Sequence, residues 1–175
     1  MQITDIKGTV KLVNGVEMPY FGLGVFKTND GSEVENSVKW ALESGYRHID
    51  TAAIYKNEKG VGKAIKSSLI PRNELFITTK AWNDNQRNNT VMKGFEDSLE
   101  LLQTDYVDLY LIHWPVTGKY NATWKVMEAI YHSGRAKAIG VSNFLQHHLE
   151  DISGSPKLSP WLIRLNVTLI WCSNR

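Results

Sequence analysis

Four polar residues, Asp50, Lys80, His113 and Asn143, recur at intervals of about thirty residues, the length of one β-α-β unit. Tyr55 follows shortly after the first of them. A carboxylate, an ammonium, an imidazole and a phenol together suit carbonyl reduction, which needs a hydride donor and a proton for the forming alkoxide. A tyrosine is a poor acid at its ordinary pKa of about 10. An ammonium about 4 Å away, at an effective dielectric of about 20, favours the phenolate by about 4 kcal/mol. That equals about three pKa units, which would bring Tyr55 near neutrality if Lys80 supplies the charge. Lys80 buried alone would tend to discharge, and Asp50 is the counter-charge expected to hold it as an ammonium. His113 is expected to donate a hydrogen bond to the substrate carbonyl. Taken singly, each of these groups is more often a solvated loop residue. Their common register is what raises them above that.

The elements that would position them alternate along the chain. Thr9 to Met18 reads as a hairpin around Asn14-Gly15, with a two-residue type I′ turn expected. A short apolar strand follows within Tyr20–Phe26. Its Gly22 and Gly24 lack the third glycine and the acid of a dinucleotide fingerprint, so they read as sites of close backbone packing. Ser32 is expected to cap a helix over 33–43, with Val34, Val38 and Ala41 on one face. Strands are expected at 47–50, 75–80, 106–113 and 136–142. Helices are expected at 59–68, from a Thr90 cap to Leu102, at 122–132, and from about Gln146. Such alternation argues for repeated β-α units on a parallel sheet. The four spaced residues then end four successive strands, and in a (β/α) barrel those ends converge on the face that carries active sites.

The motifs carry a resemblance as well. Gly45-Tyr-Arg-His-Ile-Asp50-Thr-Ala with Ile54-Tyr55, then Leu111-Ile-His113-Trp-Pro115, then Gly140-Val-Ser142-Asn143-Phe144 resemble three motifs of the aldo-keto reductase family, in order. The resemblance spans about residues 8–152. It implies an α/β fold of the (β/α)8 TIM-barrel type, of which about five β-α units are present behind an N-terminal hairpin. It further implies NADPH (NADP) as hydride donor and a small carbonyl compound as substrate. By resemblance, Asp50, Tyr55, Lys80 and His113 match the catalytic tetrad, with Tyr55 as the acid. Asp50, Ser142 and Asn143 match cofactor-binding positions. Phe26, Trp82 and Trp114, with His113, would wall the substrate site; core packing is the competing reading for these aromatics. No metal site is expected, since His147 and His148 have no further ligand at metal spacing. His48, inside its strand, reads as a satisfied structural histidine.

Composition limits the alternatives. The chain has 175 residues, 42% of them apolar and 22% charged, with net charge +2, as in ordinary globular proteins. No basic run points to nucleic acid or an anionic membrane, and no apolar run reaches membrane-spanning length. The single cysteine, Cys172, fits a reducing compartment, so a cytoplasmic location is expected.

The segment from Ser153 does not match the family motifs and is set apart, at 153–175, from a partial reductase domain over 1–152. Its Ile163–Leu169 stretch alternates and could form a sixth strand. Back-translation with permitted codons, shifted by one frame, can spell a segment like the family's next one, so a frameshifted, C-terminally truncated member is expected. Its open sheet edges would favour self-association. A non-catalytic remnant or scaffold module is the alternative to a working reductase.

Overall fold

The computed structural model describes residues 6–153 and 163–164. Two short strands, β1 (Thr9–Lys11) and β2 (Glu17–Pro19), open the chain as an antiparallel hairpin. A parallel six-stranded sheet follows, built in strict chain order from β3 (Leu23–Gly24), β4 (His48–Asp50), β5 (Phe76–Ala81), β6 (Val107–Ile112), β7 (Ala136–Val141) and β8 (Ile163–Arg164). Between the strands lie α1 (Ser32–Glu43), α2 (Glu58–Ser67), α3 (Asn83–Arg87), α4 (Val91–Leu102), α5 (Tyr120–His132) and α6 (Gln146–Ser153).

Every residue of β5 and β6 is buried, as expected of parallel strands covered on both faces. The two coverings differ. One face packs on helices: Ile49, Ile77, Tyr110, Ile112, Ile139 and Val141 join Val34 and Val38 of α1, Phe95 of α4 and Trp124 of α5 in the main core. Along the other face, Phe76, Leu109, Leu111 and Ala138 form a second core with Leu12 and Met18 of the hairpin. Helices on one face only, with sequential parallel strands, make this a wall of a (β/α) barrel rather than a doubly wound sheet, which carries helices on both faces. The hairpin closes the N-terminal end of that wall, and Asn14 Nδ2 donates to the Lys137 carbonyl across it (2.8 Å).

Some local expectations differ. The hairpin pairs Thr9 with Pro19 and Lys11 with Glu17, and Leu12 N–H donates to the Val16 carbonyl (2.7 Å). The turn is therefore a three-residue loop rather than type I′, with Gly15 alone left-handed (φ 87°). Ser32 lies inside α1, and Gly31 (φ 89°) takes the cap position. Thr90 stands at the cap of α4, but its side chain makes no cap hydrogen bond. Gly22 does serve close packing, since a Cβ there would sit 2.8 Å from the His48 ring; Gly24 has open space. Of the expected sixth strand, only Ile163–Arg164 lies among the described residues, where it pairs with Gly140–Val141.

The N-terminal end of the sheet holds its own ion cluster. Asp108, buried, accepts from Arg72 (2.8 Å), from Lys137 (2.9 Å) and from the Ile77 N–H (3.0 Å). Groups at that end of a barrel wall serve stability.

Candidate active site

Asp50 ends β4, Lys80 sits one residue from the end of β5, and His113 and Asn143 follow the last residues of β6 and β7. The register brings them together. Thr51 N–H donates to the Thr78 carbonyl (2.9 Å), His113 N–H to Ala81 (3.2 Å), and Ser142 N–H to Ile112 (2.8 Å). All four residues therefore stand on the C-terminal rim.

Lys80 is buried, and its Nζ donates to Asp50 Oδ1 (2.6 Å) and to the Thr51 carbonyl (2.8 Å). The same Nζ lies 5.3 Å from the centre of the Tyr55 ring. Tyr55 ends a single 3-10 turn, Ala53–Tyr55, and its ring packs between Phe26 (5.0 Å between centroids) and His113 (5.6 Å). Trp82 meets the other side of His113 edge-on (5.3 Å). Phe26 is 63% exposed and Trp114 47% exposed, so core packing does not account for these two. They stand on the rim around Tyr55 and His113. Trp114 is anchored through its carbonyl, which accepts from Nε2 of buried Gln86 (2.9 Å).

The electrostatics differ from the expectation at Tyr55. Its hydroxyl is pushed up to about 12, first by burial and then by the Asp50 carboxylate, instead of falling toward neutrality. The physical reason is that Lys80 already faces Asp50, so the pair offers the phenolate little net positive field, while burial opposes its charge. His113 is lowered to about 4, chiefly by burial and next by Lys80, so its imidazole is neutral at pH 7. Among the described residues, its Nδ1 is buried without a partner. With the proton on Nε2, Nδ1 is left as a bare acceptor rather than as a stranded N–H donor.

Asn143 is left-handed (φ 62°), and its Nδ2 donates to the His113 carbonyl (2.8 Å) and to Ser142 Oγ (3.1 Å). The Asn143 carbonyl oxygen and the Ser142 hydroxyl proton remain unspent among the described residues, leaving an acceptor and a donor side by side at the rim. His48 is a satisfied buried residue: Nε2 pairs with Thr78 Oγ1 (3.0 Å) below the Asp50–Lys80 pair. Sequence reasoning missed Thr51, Asn57 and Gln86. Thr51 was legible as the residue after Asp50; Gln86 carried no signal, because its helix is short and polar.

The family-level comparison decides the assignment. Residues 18–174 match the aldo/keto reductase family. The chain belongs to that family. The matched interval runs past Ile152, into the segment that sequence reading set apart. Among aldo/keto reductases, the chain is 58% identical over 157 residues to the glyoxal reductase of Bacillus subtilis, covering 90% of this chain and 57% of that relative. It is 48% identical over 153 residues to the methylglyoxal reductase DkgA of Escherichia coli, covering 86% of this chain and 54% of DkgA. A crystal structure of an aldo/keto reductase from Brucella melitensis superposes with a TM-score of 0.83 at 46% identity, covering 89% of this chain and 61% of that one. The chain thus spans a little over half the length of the curated relatives it matches.

Proposed function

We propose that the protein reduces aldehydes and ketones to alcohols, using a hydride from NADPH and a proton from Tyr55. The observation that carries this is the meeting of Tyr55, the Lys80–Asp50 pair and neutral His113 at one rim. The names of the relatives, glyoxal and methylglyoxal reductases, favour small reactive carbonyls as substrates.

The chain's own residues fit a nicotinamide at the rim. Asn143 Oδ1 can accept from a carboxamide NH2 while the Ser142 hydroxyl donates to its carbonyl, and Asp50 lies nearby on the same rim. When bound, the reduced nicotinamide supplies the hydride. His113 Nε2–H orients the carbonyl oxygen and stabilises charge developing on it. Tyr55 arrives protonated, since its hydroxyl is held to about 12. An alkoxide is a far stronger base than a phenolate, so the proton moves downhill from Tyr55 to the product oxygen. Lys80, whose Nζ lies 5.3 Å from the ring centre, is already paired with Asp50, so the basicity of the alkoxide rather than a net positive field drives the transfer. Asp50 holds Lys80 in that place. The single cysteine supports a cytoplasmic setting. Among the described residues, no helix is long and apolar enough to cross a membrane.

A second reading is a non-catalytic module that retains these four residues. NADPH titration by fluorescence, with methylglyoxal turnover alongside, separates the two. Saturable binding with turnover supports the reductase. Absence of both supports the module.

A further inference from the structure

Asn57 stands at the N-cap of α2, the position where an asparagine side chain ordinarily accepts from the helix's own first-turn N–H groups. Here it makes no cap hydrogen bond. The first turn is capped from elsewhere: Asp30 Oδ1 accepts from the Gly60 N–H (2.8 Å). Asn57 is fully buried (0% exposed) and spends its amide on three distant groups. Its Oδ1 accepts from Thr51 Oγ1 (2.8 Å), and its Nδ2 donates to the Val25 carbonyl (2.8 Å) and the Thr28 carbonyl (2.9 Å). Both donors and one acceptor position are thus used.

These three bonds join the segments that carry the site. Thr51 follows Asp50 and gives its carbonyl to Lys80. Val25 and Thr28 bracket Phe26 and Lys27. The Thr51–Asn57 bond closes the base of the loop that holds Tyr55, whose backbone is otherwise tied by its own turn, Tyr55 N–H to Ala52 (2.9 Å) and Lys56 N–H to Ala53 (3.2 Å). Lys56 is left-handed (φ 58°), so the chain reverses sharply between Tyr55 and Asn57. The Tyr55 hydroxyl makes no hydrogen bond to the described residues, which leaves its place to that loop and to ring packing on Phe26 and His113.

We propose that Asn57 is a positioning residue for the reaction: by clamping the Val25–Thr28 loop to the base of the Thr51–Asn57 loop, it fixes Tyr55 and Phe26 relative to Lys80 and His113. The inference rests on the reductase reading for its kinetic consequence, but not for its geometry. Asn57 must be an amide because it has to donate to two carbonyls while accepting from a hydroxyl. An isosteric carboxylate would face both carbonyls with its own oxygens, and alanine would strip the Thr51 hydroxyl and the Thr28 carbonyl of the Asn57 amide and leave the Val25 carbonyl with the Thr28 N–H alone (3.2 Å).

The test uses the full 175-residue chain, with 3-fluorotyrosine placed at position 55, in the parent, Asn57→Ala and Val38→Ala. Val38 is buried in α1, in the helix-side core, and controls for general destabilisation. Asn57→Ala should lower kcat for methylglyoxal with NADPH by about 10²-fold, the scale of a misplaced reacting group, while leaving NADPH affinity unchanged. Its fluorine resonance should shift or broaden. Val38→Ala, at a comparable loss of melting temperature, should change neither. Equal kcat and an unmoved resonance in Asn57→Ala and Val38→Ala would overturn the proposal. If the parent shows no turnover, the reductase reading falls by itself, and the resonance alone decides: a shift confined to Asn57→Ala upholds the clamp, and none refutes it.

Discussion

Lys80 Nζ lies 2.6 Å from Asp50 Oδ1, with the ammonium buried and the carboxylate partly open to the rim. An ion pair of this kind is costly to break from one side, because the remaining buried charge has no partner. Asp50→Asn should destabilise the fold by about 3 kcal/mol, discounted little because Lys80 is the more buried member. Urea denaturation of Asp50→Asn and Lys80→Met measures this. Lys80→Met should be the milder of the two, since it leaves the charge on the more exposed partner.

His113 makes stability depend on pH in a defined window. Its folded-state value, about 4, lies below the unfolded value of 6.5. The unfolded chain therefore binds the proton first as pH falls, so the contribution is fully present above about 6.5 and lost as pH falls through about 4. His48, also lowered by burial, acts in the same direction. Between pH 7.5 and 5, unfolding free energy should decrease, and His113→Gln should flatten that slope without abolishing it. An identical slope in the variant would contradict the assignment of a neutral, buried His113.

Glu58 lies between sheet and helices, accepting from Thr79 Oγ1 (2.5 Å) and Ser98 Oγ (3.2 Å). Burial pushes its carboxyl up. A raised folded value gives stability that is full below the unfolded value and is lost as pH rises through the folded one. At pH 7, Glu58→Gln should accordingly match or exceed the parent in stability. Glu58→Ala, which strands two buried hydroxyls, should cost about 1–3 kcal/mol. Chemical denaturation at pH 7 checks both.

The strand alternation, the parallel sheet and the common rim of Asp50, Lys80, His113 and Asn143 were legible because buried parallel strands read as near-continuous apolar runs ending in isolated polar residues. Other features were set by tertiary context. The hairpin turn gained a residue because Leu12 turns into the second core beside Met18. Ser32 lost its cap to Gly31, whose left-handed backbone starts α1 one residue early. Helix α3 has no apolar periodicity to reveal it. The Tyr55 hydroxyl rose instead of falling because burial opposes the phenolate and the Asp50 carboxylate adds to it, with Lys80 already spent on Asp50; these are facts of geometry rather than of residue type. Asn57 carried no expectation in the sequence; it stands at the N-cap of α2, and its side chain is free for the clamp because Asp30 accepts from the Gly60 N–H of that first turn.

The central claim is that Tyr55 gives the proton. Tyr55→Phe keeps the ring and its packing on Phe26 and His113 while removing only the hydroxyl, so NADPH binding and the melting temperature should stay near those of the parent. Steady-state reduction of methylglyoxal by parent and variant is the direct measurement. The account predicts a fall in kcat of about 10²-fold or more, the scale of a lost general acid, with NADPH affinity retained. Turnover by Tyr55→Phe equal to the parent's would contradict it and assign the proton to another group.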